Sequence, residues 1–318
     1  MINPTDISFV ITGTFPQEPL LSSIRKFFPG AEVILVLWND DTFRGLETVD
    51  KTIYIKDPGA CVFDESNRLY NNLNRILIAS FEGVKASTRK YIFRLRSDLI
   101  FKNSDFLKLN FAFLVRDRRF TLFKEKIIVC DTFSISADLK SKKRQLQLFH
   151  LSDWLQFGLS EDIKNFFDLK IVEEPSFSQY FTKKYKTDIF PNRLWRMSPE
   201  QYFLSENCRK IYPNLNYKTY LDTNQANVEL SERFIINNFF VYSLKELGME
   251  MQNPKYLGLD MISIFKEDCF NNFKIEKLIE RYYGYKTRHK FSLSSTIRKS
   301  LLARCFFKTV RKIRIFLN

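Results

Sequence analysis

The chain has 318 residues, with 50 Lys or Arg against 36 Asp or Glu for a formal net charge of +14, and 33 Phe against only 9 Gly. A chain of this length buries a full core, and dense aromatics with scarce glycine exclude a disordered or loop-dominated protein. The charge does not make the body a polybasic nucleic-acid binder, because from Arg281 onward there are 11 basic residues and no acidic one, which leaves 39 basic against 36 acidic before it.

Residues 7–11 read as a first strand that opens into Thr12-Gly13-Thr14, a small turn able to let a nucleotide approach the backbone. Residues 20–28 form a helix stopped by Pro29-Gly30, and residues 32–37 a second strand closed by Trp38-Asn39-Asp40-Asp41. Residues 52–55 form a third short strand, running into the turn Asp57-Pro58-Gly59. Strand, helix, strand and strand in this order predict a parallel sheet. Residues 65–85 read as one helix, with Leu69, Leu73, Ile76, Leu77, Phe81 and Val84 on its apolar face. Arg68, Asn71, Asn72 and Arg75 lie opposite, with Asn74 at the flank; this face is either solvated or recruited to a ligand.

The stretch TRKYIFRLRSDLIF follows, residues 88–101, and its Tyr91-Ile92-Phe93 has the profile of a buried strand. Alternation places Arg94, Arg96 and Asp98 on one face of it. Three charges at the end of an apolar strand need partners, supplied either by an anionic ligand at the carboxyl edge of the sheet or by an Arg–Asp ion pair. Residues 126–130 form another strand. In FHLSDWLQFG, residues 149–158, Asp153 stands among Leu, Trp and Phe. Such a carboxylate is expected to hold its proton more tightly than usual, as a useful general base does; the other reading is a buried Asp capping a turn. Residues 158–162 begin a helix with Ser160 as its cap, and Ser198-Pro199-Glu200-Gln201 begins another, its acid belonging to helix-start chemistry. From about Val228 the pattern turns helical and aromatic with no further strand-rich unit, so the chain divides at residues 1–225 and 226–318. At its end Leu302, Phe306, Val310, Ile313 and Leu317 make one helical stripe with Arg304, Lys308 and Arg311 opposite. That helix either docks on the body or lies on an anionic membrane surface.

Five scattered cysteines without a CxxC pair fit a reducing compartment, and two histidines are too few for a His-based metal cluster. No segment has the ~20 apolar residues of a spanning helix, and the first residues lack the pattern of a secretory signal.

Taken in order, Ile11-Thr12-Gly13-Thr14, the run IRKFFPGAE at 24–32, Trp38, Asp57-Pro58-Gly59, Asn72-Leu73-Asn74-Arg75, Arg94-Leu95-Arg96-Ser97-Asp98 and SDWLQFG at 152–158 resemble the WavE-type lipopolysaccharide synthesis family over about residues 5–205. That family comprises glycosyltransferases of bacterial surface polysaccharides. The resemblance implies an α/β fold of GT-A-like, Rossmann-type design, a mostly parallel sheet flanked by helices, followed by a helical C-terminal region. It further implies a nucleotide-sugar donor at the carboxyl edge, where the residues themselves point to Thr12, Gly13, Trp38, Asn74, Arg75, Arg96 and Asp98 as its lining and to Asp153 as base. GT-A proteins usually hold a divalent cation, Mn2+ or Mg2+, on an Asp-x-Asp motif; here the triplet is Arg96-Ser97-Asp98. The departing diphosphate is therefore met either by a cation on Asp98 or by the guanidinium groups of Arg75 and Arg96. The expected acceptor is a glycan or lipid-linked glycan, and the expected place is cytoplasmic, peripheral at the inner face of the membrane. A catalytically silent scaffold protein and, more remotely, a nucleic-acid-binding protein are the alternatives.

Overall fold

Runs that are apolar without alternation, such as ISFVIT and EVILVLW, suit strands covered on both faces, and they form the middle of the sheet. The computed structural model describes residues 2–13, 18–41, 48–64, 69–109, 116–136, 146–181, 195–252 and 269–285. The sheet is built from β1 (Ile7–Thr12), β2 (Glu32–Trp38), β3 (Lys51–Ile55), β6 (Tyr91–Arg96), β8 (Ile127–Cys130), β9 (Leu155–Leu159) and β10 (Phe239–Tyr242). Their order is β10-β8-β9-β6-β1-β2-β3. β1 pairs in parallel with β2 and β6, β2 with β3, and β8 with β10, whereas β9 runs antiparallel to both of its neighbours. This is the mostly parallel α/β sheet that the sequence predicts.

Two layers cover it. On one face, α1 (Glu18–Phe27) and the short β7 (Leu99–Phe101) enclose rings of Phe9, Phe28, Phe93, Phe101, Phe106 and Phe157. The neighbouring rings have centroids 4.8–6.1 Å apart, tilted, stacked or edge to face, which gathers six of the chain's 33 phenylalanines in one cluster. On the other face, α2 (Leu73–Lys85) and α3 (Ser160–Phe167) pack Leu73, Leu77, Val84, Ile163 and Phe166 onto Val10, Ile34 and Ile92. α4 (Pro199–Arg209), α5 (Gln225–Asn238) and α6 (Asn272–Tyr283) extend that layer. Two small antiparallel pairs complete the set: β7 with β11 (Met249–Met251), and β4 (Cys61–Asp64) with β5 (Leu69–Asn71).

Three expectations are corrected. The helix expected over residues 65–85 begins only at Leu73, because Leu69–Asn71 is a strand and Asn71 is buried. The Asn71 side chain accepts from the Leu73 amide (3.1 Å) and donates to Ser178 (2.9 Å), so it does not belong to a solvated helix face. Ser160 is the first residue of α3 rather than its cap; Leu159 holds that place and no side-chain cap bond forms. The region beyond residue 226 is not free of strands: β10 is the edge strand of the main sheet and β11 pairs with β7. There Asn238 ends α5 by donating to the Phe120 carbonyl (2.6 Å) and accepting from the Leu122 amide (2.8 Å), which frees Phe239–Tyr242 to extend. Thr14, Arg68 and the basic stripe of residues 302–317 lie outside the described residues.

Candidate functional site

The four strands β3, β2, β1 and β6 all point their carboxyl ends to one edge, and β9, running the other way, delivers its amino end there. In register, Thr12 faces Arg96 and Leu95 faces Leu155, so the segments after β1 and β6 meet the segment before β9. The contact is tight. The Ser97 amide donates to the Thr12 carbonyl (2.9 Å) and the Arg96 amide to the Trp154 carbonyl (3.0 Å). Gly13 has φ +116°, and a Cβ placed there would stand 2.9 Å from Ser97 Oγ, so this turn needs glycine both for its backbone and for the close crossing.

Of the three charges on the face of β6, Arg94 serves the framework. It is fully buried, donating to Thr12 Oγ1 (2.9 Å), to the Asp153 carbonyl and, at 3.4 Å, to Gln156. Burial pulls its guanidinium down to about 10, with the charge of Asp153 as the strongest opposing influence. Arg96 and Asp98 form the ion pair that the sequence left as one of two readings: Nε and Nη2 reach the two carboxylate oxygens at 3.1 and 2.6 Å. The Arg96 guanidinium also lies 4.4 Å over the Trp154 ring, so it is held between an aromatic face and a carboxylate. Its side chain is 30% exposed while that of Asp98 is 3% exposed, so the cation is the member of the pair that faces outward.

Asp153 is buried, and burial, reinforced by the charge of Glu200, pushes its carboxyl up to about 6 against the pull of Arg96, Arg94 and His150. Among the described residues nothing donates a hydrogen bond to its carboxylate; only its backbone carbonyl is engaged, by Arg94. The loop that carries it is clamped from several sides. Ser152 accepts from the Trp154 amide and from Cys130 Sγ (3.2 Å each), and its own amide donates to Ser134 Oγ (2.9 Å). Phe133 and Phe149 have positive φ (62° and 53°), and the Phe133 ring packs 5.2 Å from Trp154. Non-glycine residues in this region cost of order 1–3 kcal/mol each and persist where the surroundings over-determine them, which is common around functional sites.

The other residues singled out by sequence are placed as follows. Trp38 ends β2 at the same edge, half-buried, with its amide donating to Asp41 (3.0 Å). Asn74 uses its side-chain amide in both directions, donating to the Val172 carbonyl (2.9 Å) and accepting from the Val172 amide (3.1 Å), so it pins a loop. Arg75 is bidentate to Asp57 at 2.7 and 2.5 Å, which holds that carboxyl below its usual range. Thus Thr12, Gly13, Arg96, Asp98 and Asp153 come together, while Asn74 and Arg75 have partners of their own on the first turn of α2. Sequence reasoning missed Glu200 and His150. Ser198 and Gln201 do form the reciprocal capping box, but Glu200 between them is largely buried, its Oε2 3.9 Å from His150 Nε2. The one available signal was a histidine three residues before Asp153 in the same apolar run.

A divalent cation at Asp98 does not fit these residues. Both of its oxygens receive Arg96, and among the described residues no group of three or more His, Cys, Asp or Glu could hold a metal ion. No helix among them is long and apolar enough to cross a membrane.

With this geometry in hand, comparison with protein families decides the affiliation: the model described as WavE lipopolysaccharide synthesis matches residues 14–305. The chain belongs to the WavE lipopolysaccharide synthesis family. The match spans the whole described sheet except β1 and continues past α6, so this WavE-family chain carries the family pattern on both sides of residue 225. No curated protein matches it.

Proposed function

We propose that this WavE-family protein is a glycosyltransferase, moving a sugar from a nucleotide-sugar onto a growing lipopolysaccharide or capsular glycan by single displacement on a GT-A-like fold. The observation that carries the reading is Asp153: a buried carboxylate that receives no hydrogen bond among the described residues, at the carboxyl edge of a mostly parallel sheet, beside an outward-facing arginine. Nucleotides bind at that edge in open α/β sheets. In the proposed reaction the acceptor hydroxyl attacks the anomeric carbon while the nucleoside diphosphate departs with the bonding electrons. Asp153 takes the hydroxyl proton, and attack from the face opposite the leaving group inverts the anomeric centre. Arg96 meets the diphosphate, and Asp98 with Trp154 keeps its guanidinium in place. Thr12, Gly13 and Trp38 line the nucleotide. No step is routed through a metal ion.

The acceptor of such an enzyme is a glycan, lipid-linked where it is confined to a membrane, and the 11 basic residues after position 280 suit an anionic leaflet. The test is a panel of common nucleotide-sugars, scored for thermal stabilisation of the intact protein and for release of nucleoside diphosphate with lipopolysaccharide fragments as acceptors. Stabilisation by one donor and its turnover support the reading. A protein that binds none of them is not a transferase of this kind.

A further inference from the structure

α6 packs one side and leaves the other in water. Ile275, Leu278 and Ile279 turn into the core, while Phe273, Lys277 and Arg281, four residues apart, stand exposed on the other side. At 64%, Phe273 is the most exposed large apolar side chain among the described residues. The Lys277 ammonium lies 5.9 Å from its ring centroid, and exposed Tyr285 follows just past the Gly284 cap. The stripe thus sets two cations between aromatic residues, and it leads into the chain that carries 11 basic residues and no acidic one from Arg281 onward. Glu280 pairs with Lys277 (2.9 Å) and Glu232 with Arg281 (3.2 Å), but both cations keep most of their surface in water, where such pairs contribute little and exchange readily.

The two ends of α6 are fixed to opposite edges of the sheet. At its start the Phe270 amide donates to the Ser134 carbonyl (2.6 Å), and Lys274 Nζ donates to Ser136 Oγ. Ser134 Oγ in turn accepts from the Ser152 amide (2.9 Å), one residue before Asp153. The Ser136 carbonyl accepts from the Gln147 amide (2.9 Å), which brings exposed Leu146 to the same end. At the far end Asn237 donates to Tyr283 Oη (2.7 Å), two residues before β10 enters the sheet. Twelve residues, ~18 Å of helix, therefore run the depth of the sheet from the candidate site outward.

We propose that the outer stripe of α6, Phe273, Lys277 and Arg281 with Tyr285, is a contact surface for an anionic lipid bilayer. Aromatic rings lodge at headgroup level and cations meet lipid phosphates, the composition of interfacial anchors. A second copy of the chain is a poorer occupant, because a two-fold pairing would bring basic stripe against basic stripe. The basic chain beyond supplies most of the attraction. It follows Tyr285, at the edge opposite the site, and alone fixes no orientation. α6 laid on the leaflet does, and its first turn then keeps the Asp153 loop close to the membrane plane. The contact does not depend on the sugar-transfer reading, although a lipid-linked acceptor gives it a use.

The experiment uses the intact protein and vesicles of phosphatidylglycerol and phosphatidylethanolamine, with no sugar substrate. All the substituted positions are exposed, so the variants keep the core intact. In Phe273→Trp, emission is compared with that of the unaltered protein to isolate the added indole. With vesicles, that added emission should shift to the blue and be quenched by brominated acyl chains. In the double variant Lys277→Gln with Arg281→Gln, vesicle affinity should fall by ~10-fold or more, since each cation near such a surface is worth about five-fold. An indole as open to aqueous iodide in vesicle-bound protein as in free protein overturns the proposal and leaves the contact to the chain beyond Tyr285. Unchanged affinity in the double variant overturns it too, as does a full-length protein that does not bind the vesicles. A blue shift that grows with protein concentration in the absence of vesicles gives the stripe to a second copy, and also overturns it. None of these readouts involves sugar transfer, so failure of that reading leaves them unchanged.

Discussion

Three side chains share the proposed chemistry at the sheet edge. Asp153→Asn preserves shape but removes the proposed proton acceptor, so transfer should fall by ~10²-fold or more with donor affinity little changed, read as a loss in kcat rather than KM. The same substitution should stabilise the fold. Between an ordinary 3.8 and about 6 the native state holds a proton that the unfolded chain has lost, so stability declines as pH rises through that window. The full difference is worth about 3 kcal/mol, an upper figure. Asp153→Asn should therefore melt several degrees higher than the parent at pH 7.5, with the gap closing toward pH 4. No gain at pH 7.5 would mean that the carboxylate is not desolvated. Arg96→Ala should weaken binding of the nucleoside diphosphate product, measured by calorimetry. Asp98→Asn should weaken it less, by up to about 10-fold, because it only removes the charged partner that orients Arg96. Equal affinity in both variants would move the diphosphate elsewhere. The charged triplet itself was legible in the sequence, since period-two alternation put its members on one face. Its division into a framework cation and an outward-facing pair was not, because that depends on how Thr12, Gln156 and Trp154 converge from other strands.

At the scale of elements, α2 is held where it is by a missing side chain. At Gly83 a Cβ would fall inside the Val10 side chain of β1 and 2.8 Å from Val36 Cγ2 of β2. Alanine gains about 1 kcal/mol in helix propensity over glycine, but overpacking a core typically costs 1–3 kcal/mol. Gly83→Ala should therefore be net destabilising by about 1 kcal/mol in denaturant titrations; a more stable variant would show that the helix can slide outward without cost. The central strands were legible because both of their faces are apolar and no other element reads that way. Two strands of the main sheet were not. LQFGL follows SDW without any turn signature, and FFVY ends an apolar run that also fits a helix. Short apolar runs leave helix and strand undecided, and what decides here is long-range: Asn237 and Asn238 bonding to residues 116–123. The start of α2 was misplaced for the same reason, since Asn71 answers to Ser178, 107 residues away.

For the whole molecule, charge is divided along the chain rather than spread through it, and the basic end carries the proposed membrane contact. Full-length protein should sediment with anionic vesicles, release as salt rises, and lose that binding when truncated before Ser295. A truncated form that binds equally well would assign the contact to the body. The central sheet has a further consequence through its one reversed strand. Because β9 enters the edge that the parallel strands leave, the two halves of the site arrive on separate tethers, anchored at residue 96 and at residue 155. The β6–β9 register and the bonds from the Arg96 amide to the Trp154 carbonyl and from Arg94 to the Asp153 carbonyl join the two, so a slip in that pairing should shift the proposed donor site against the proposed base. In engineering terms the proposed donor half and the proposed acceptor half are two jaws of one clamp, with the β6–β9 pairing as its hinge.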